Sequence, residues 1–160
     1  MSGVLYITTV LTALGCGLIA GAFFAFSSFV MPALKRLPAA QGIAAMQSIN
    51  KLAVTPVFMT ALFGTAAACL GLVGWAAISW GGLVVALMIA GGVAYLVGAI
   101  GVTIACNVPL NDRLAKLHPQ GSDAAGRWEE YVTKWTAWNH LRAAAALAAA
   151  ALLTIALHAG

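Results

Sequence analysis

The stretch LAVTPVFMTALFGTAAACLGLVGWAAISWGGLVVALMIAGGVAYLVGAIGVTIACNVPL, Leu52 to Leu110, decides the fold: 59 consecutive residues carry neither a charge nor a histidine. As one helix it would extend about 88 Å, against a bilayer hydrocarbon core of about 30 Å. It must cross a membrane twice and turn once. The best turn is Ser79-Trp80-Gly81-Gly82, where loop-forming residues accompany a tryptophan, a residue that gathers at membrane interfaces.

Upstream, Gly3 to Leu34 is a second uncharged run, of 32 residues. It has no charged leading region and no A-x-A site, and it is too long for a signal-peptide core, so it reads as a retained helix. Downstream, Ala143 to Leu157 would make only about 22 Å of helix. A fourth span must therefore begin near Trp138, which draws Asn139, His140 and Arg142 to the edge of the bilayer. The expectation is an all-α, integral membrane four-helix bundle in a single domain, 1–160. Its approximate spans are 4–34, 53–79, 82–106 and 138–158, with an extended cytoplasmic end on the fourth helix. Composition agrees: of 160 residues 62% are hydrophobic and only 8% charged, where soluble domains carry about a quarter. The mean hydropathy is +0.97. A disordered chain, a nucleic-acid module and an ordinary cytosolic enzyme are excluded. The net charge of +4 contains no basic run, so the partner is the lipid bilayer and not nucleic acid.

The cations sort by side. Lys35, Arg36 and Lys51 flank the first connection, and Arg113, Lys116, Arg127 and Lys134 lie in the second. The amino-terminal tail, the Trp80 turn and the carboxyl end carry none. This places both connections in the cytoplasm and both termini outside the cytoplasmic membrane. Asn107-Val108-Pro109-Leu110-Asn111 reads as a capped turn that ends the third span, since Pro109 cannot continue its hydrogen bonding. From Gly126 an aromatic stripe continues in helical phase, so one long helix should project beyond the bilayer.

Small residues are regularly spaced: Gly17, Gly21, Ala25 and Ser28 on the first helix, Gly71 and Gly74 on the second, Gly91, Gly98 and Gly101 on the third, and alanines from Ala143 to Ala151 on the fourth. In lipid such faces let backbones approach closely, which suits a tight bundle and also a homo-oligomer. Gly15-Cys16-Gly17…Gly21 has the wrong spacing and no preceding strand for a dinucleotide fingerprint. Cys16, Cys69 and Cys106 match no metal or redox motif and read as buried small hydrophobes.

The polar residues that could do chemistry gather in three stretches: Ser27 to Pro32 with Gln47 and Asn50; Cys106 to Asn111; and Trp128 to Arg142. On a helical wheel Trp128, Tyr131, Trp135, Trp138, Asn139 and Arg142 share a sector of about 100°. An aromatic wall ending in an amide and a guanidinium would suit a planar, oxygen-bearing organic ligand. The bland alternatives are an interfacial aromatic belt for Trp80 and Trp128, snorkelling for Arg142, and helix caps or connection hydrogen bonds for Gln47, Asn50, Asn107 and Asn111. His140 lies off the stripe beside Thr136, with no second ligand near it in sequence to complete a metal site. No P-loop, nucleophile elbow or carboxylate pair occurs, and the spans hold no Asp or Glu with which to run a proton-driven carrier.

At these stretches the sequence resembles the anthrone oxygenase-like family of small membrane proteins. The resemblance is carried by Gly21 to Leu34 (GAFFAFSSFVMPAL), Ala45 to Asn50 (AMQSIN), Asn107 to Asn111 (NVPLN) and Trp135 to Arg142 (WTAWNHLR). Some members oxidise anthrones to anthraquinones without metal or flavin. The resemblance implies an analogous site on Asn107, Asn111, Trp138, Asn139, His140 and Arg142, with no cofactor, and with a planar aromatic molecule and dioxygen as small-molecule partners. In that chemistry His140 would be the base, Arg142 and the Asn amides would stabilise the oxyanion, and Trp135 with Trp138 would wall the rings. Two other readings compete: a non-catalytic bundle that assembles with itself or a partner, and a haem or metal protein using His140. A geometric tension is already visible. His140 and Arg142 diverge by about 200° on a regular helix, so Arg142, sharing the Trp135 and Asn139 face, is the better ligand contact. His140 is expected to bond a neighbouring helix at Asn107 or Gln47.

Overall fold

The computed structural model describes residues 2–79 and 81–160. The described residues form five helices: α1 Gly3–Lys35, α2 Ala39–Leu52, α3 Pro56–Ile78, α4 Leu83–Ala115 and α5 Ala124–Ala159. All except α2 are long and apolar enough to cross a membrane. Their starts follow from local chemistry. Ser2 accepts from the Leu5 N–H at α1, and Thr55 accepts from the Phe58 N–H at α3, where Pro56 fills a position whose N–H would go unused. Gly82 precedes α4 at φ 134°, a conformation that side chains with a Cβ rarely adopt. Trp80, read as the interfacial residue of this turn, lies outside the described residues.

One helix end follows the sequence reading and another departs from it. α5 is one helix from Ala124, with about half of it needed to cross a bilayer, so the long projecting helix expected from Gly126 is present. α4, however, does not stop at 106. It runs through Pro109 to Ala115. The helix is already π-type over Ala94–Gly101, and a further π-turn over Thr103–Asn107 leads into the proline, with the Val108 N–H reaching back five residues to the Thr103 carbonyl. The turn takes up the mismatch that Pro109 creates, and the proline then sits in the first turn of resumed α-helix, where its missing N–H costs little. α1 uses the same device. A π-turn over Phe26–Val30, closed by the Met31 N–H on the Phe26 carbonyl, precedes Pro32. In both helices the proline stands six residues after the π-turn begins.

α5 packs on α1 and α4, and α3 closes the bundle between α1 and α4. α2 lies across the end that carries the charged connections, hereafter the cationic end, against α5 and the ends of α1 and α4. α3 packs against the Leu83–Gly101 part of α4, and beyond it the two helices separate. The small-residue expectation holds in part. On α4 a Cβ at Gly98 would stand 2.4 Å from the Ala145 Cβ, and one at Gly91 would meet Leu153 and the Ala149 carbonyl, so here the backbones of α4 and α5 do come close. Gly17, Gly21, Gly71 and Gly74 face open space instead, and α1 meets α3 through Gly15 on Thr65. Cys16 and Cys69 are fully buried with sulfurs 3.8 Å apart across the α1–α3 contact, and Cys106 is half-buried.

The interior has two apolar clusters. One, around Ile19, Leu72, Met88, Tyr95 and Leu153, fills the half nearer the chain ends. The other, around Met31, Ile43, Met46, Trp128 and Trp135, fills the cationic end. The residues between them are polar and buried: Ser27, Asn107, Asn139 and Arg142.

Candidate functional site

The polar layer is built where the two π-turns that precede prolines, Phe26–Val30 and Thr103–Asn107, face α5. Ser27 belongs to the α1 turn, Thr103 and Asn107 to the α4 turn, and Asn139 and Arg142 lie one helical turn apart on the inner face of α5. π-turns of this kind are frequent at functional sites, because they re-aim side chains and disturb the regular hydrogen bonding.

Asn139 is fully buried and uses its whole amide. Its Nδ2 donates to the Phe23 carbonyl (2.7 Å) and to the Ser27 hydroxyl (2.6 Å), and its Oδ1 accepts from Arg142 Nη2. Arg142 Nη1 donates to Thr103 Oγ1 at 3.1 Å, and that hydroxyl donates onward to the Ala99 carbonyl. The guanidinium carbon lies 4.2 Å from the centre of the Phe23 ring and 5.1 Å from that of Trp135. Arg142 is 5% exposed, and its Nε has no hydrogen-bond partner among the described residues. Nor does any carboxylate among them pair with it. Asp112, Asp123, Glu129 and Glu130 are all exposed at the cationic end; two of them pair along α5, Asp123 with Arg127 and Glu130 with Lys134. The Arg127 guanidinium beside Asp123 holds that carboxyl below the usual carboxylate range. A buried cation compensated only by hydroxyl, amide and aromatic faces is costly in a membrane, and residues of this kind mark functional sites.

Beside Arg142 is a cavity of about 250 Å³, just below the range of about 300–1,000 Å³ usual for small-molecule sites. Phe23, Phe26, Trp135 and Leu62 form its inner wall, with Met46 of α2 closing the cationic end. Its mouth lies where α3 and α4 separate. The rim residues Val54, Phe63, Ile104 and Val108 are 41–69% exposed, so the mouth opens on an apolar flank of the bundle. The aromatic wall is continuous: Phe26 meets Trp135 at 5.7 Å, Trp135 stacks on Tyr131, and Tyr131 stacks on Trp128. Asn111 Oδ1 fixes this ladder by accepting from both the Tyr131 hydroxyl and the Trp135 indole N–H, each at 2.9 Å.

The residues proposed from sequence thus divide. Arg142, Trp135 and Asn111 line the cavity. Asn107 is buried beside it; its Nδ2 donates to the Trp135 carbonyl at 3.2 Å and its Oδ1 has no partner among the described residues. Asn139 touches Arg142 but spends its amide on α1. Trp138 stands at the edge of the helical sector, 41% exposed and away from the cavity. His140 is exposed on the outer face of α5, in shallow grooves shared with α1 where Gly17, Gly21 and Pro32 leave room. No bond to Asn107 or Gln47 forms there. Gln47 instead donates to the carbonyls of Leu114 and Leu117 and caps the end of α4. Trp128 is buried against Gly42 of α2 and is not a belt residue. Sequence reasoning missed Thr103, Phe23 and the apolar rim. Thr103 carried no signal in the sequence, since its inward position depends on the π-turn that it opens.

These features define a class: a membrane-spanning helical bundle with a cavity halfway into it, walled by aromatic rings and holding an unpaired guanidinium. A model of the anthrone oxygenase family matches residues 56–152, and the chain belongs to that family. The matched region takes in α3, α4 and most of α5, hence Thr103, Asn107, Asn111, Trp135, Asn139 and Arg142, but not α1 or α2. No curated protein and no solved structure matches the chain.

Proposed function

We propose that this protein binds a planar lipophilic molecule with an ionisable oxygen in the Arg142 cavity and oxygenates it with dioxygen, converting an anthrone to an anthraquinone. The observation that carries the proposal is Arg142: a buried guanidinium without a carboxylate, set against two aromatic rings at the wall of an apolar cavity of about 250 Å³. An anthrone loses a methylene proton to give an aromatic enolate, and the enolate carbon gives its electrons to dioxygen and forms a C–O bond. The resulting peroxide takes up a proton. It then loses the remaining hydrogen on that carbon together with the outer oxygen, as water, leaving the quinone. One oxygen atom ends in the product and one in water.

In this reaction Arg142 is the catalytic residue, since its N–H groups face the oxyanion that develops on the ring. Phe23, Phe26 and Trp135 hold the ring plane and keep water away. Asn139, Thr103, Asn107 and Asn111 are positioning residues that fix Arg142 and Trp135. His140 and Trp138 stand outside this assignment. We further place the chain, as one domain, in the cytoplasmic membrane with the cationic end inside, on the strength of the seven cations gathered at that end.

The test is oxygen uptake and quinone absorbance with anthrone and the purified protein in neutral detergent, measured above the spontaneous rate in empty micelles. Turnover that disappears in Arg142→Ala, with helicity retained, supports the proposal. Wild-type protein that never exceeds the empty-micelle rate would overturn it.

A further inference from the structure

We infer that the cavity takes its ligand as the conjugate base, an enolate or phenolate whose oxygen lies against Arg142, and that no side chain of the cavity serves as the base. The inference rests on the cavity reading above and deepens it. Arg142 is the only charged side chain among the lining residues. α1, α2 and α3 contribute apolar or amide groups, and α4 contributes the Thr103 hydroxyl and the Asn111 amide. α5 adds one titratable neighbour, Tyr131, whose hydroxyl is committed to Asn111 Oδ1. His140 faces the other way, across α5.

The site therefore has an electrostatic preference and no proton acceptor. A cation in apolar surroundings gains far more from an anion than from a neutral oxygen. An opposite charge within about 4–6 Å lowers an acid's pKa by about 1–3 units. The ligand's own O–H or C–H proton leaves to water at the membrane interface, where Val54 of the connection between α2 and α3 rims the mouth, while Arg142 holds the charge that remains. Selectivity follows directly. Acidic enols and phenols are retained, whereas a quinone product without an ionisable proton lacks the ion pair and is released.

The probe is 1,2-dihydroxyanthraquinone, whose visible absorption changes on ionisation, titrated with purified protein in neutral detergent. Binding is followed separately by quenching of tryptophan fluorescence. The expected result is an apparent pKa lowered by about 1–3 units relative to empty micelles. Arg142→Gln should abolish the shift, Arg142→Lys should keep part of it, and His140→Gln should keep all of it. Quenching without a spectral shift would overturn this inference and leave the aromatic cavity standing. No quenching at all would overturn both. A shift that survives Arg142→Gln, or is lost in His140→Gln, would assign the effect to another group and refute the inference. If the Gln variant does not fold, the wild-type shift decides, and a Lys variant with none of it counts against Arg142.

Discussion

Replacing Asn139 by alanine removes three hydrogen bonds in one step: two to α1, at the Phe23 carbonyl and Ser27, and one from Arg142. Hydrogen bonds between membrane helices average about 0.6 kcal/mol and reach about 1.7 kcal/mol. Three of them are therefore worth about 2 kcal/mol and at most about 5 kcal/mol. The lower figure assumes that the stranded groups find other partners. That is difficult here, because Asn139 is fully buried and Arg142 already lacks a partner at Nε. We expect a loss of about 2–4 kcal/mol, read from reversible unfolding of the purified protein in mixed micelles with increasing denaturing detergent. His140→Ala, on the exposed side of the same helical turn, serves as the control and should change stability by less than about 0.5 kcal/mol. Equal effects of the two substitutions, or an Asn139→Ala loss below about 0.5 kcal/mol, would refute the claim that the polar layer ties α1 to α5.

Gly98→Leu forces side-chain atoms into Ala145 and should cost about 3 kcal/mol or prevent folding, whereas Gly17→Ala, which meets nothing within 4 Å, should be neutral in the same unfolding assay. Ile104→Trp at the cavity rim should slow quenching by the dihydroxyanthraquinone probe without altering the helical circular dichroism. A periplasmic reporter fused after Gly160 should be active, and a cytoplasmic reporter inserted near Gly121 should be active too. The reverse pattern would mean that the seven cations of the cationic end do not set the orientation.

Helix number and the apolar faces were legible because a bilayer imposes a length and a polarity on every span. The uncharged 59 residues from Leu52 leave only one arrangement, two crossings and a turn. Arg142 and Asn139 were legible for the same reason, since a guanidinium so close to an apolar run needs an explanation. What stayed hidden depends on pairing between helices. The sequence reading treated Pro109 as a stop, yet a π-turn upstream lets α4 continue and turns Thr103 and Asn107 inward. Glycine spacing could not tell Gly98, which meets α5, from Gly17, which meets nothing, because both lie on small-residue stripes. The family resemblance drew His140 into the site by sequence proximity to Arg142. Helix geometry separates them, as their two-residue spacing already indicated.

The gap between α3 and α4 has a kinetic consequence. Its rim of Val54, Phe63, Ile104 and Val108 is apolar and faces outward, so a lipophilic molecule that passes it comes from the acyl chains and not from water. The bilayer then acts as the reagent bottle. Occupancy of the cavity follows the mole fraction of ligand dissolved in lipid, and diluting the protein's vesicles with empty ones lowers the rate even when the total amount of ligand and of protein in the sample is unchanged. Saturation measured against bulk concentration would report the partition coefficient as much as the affinity of Arg142.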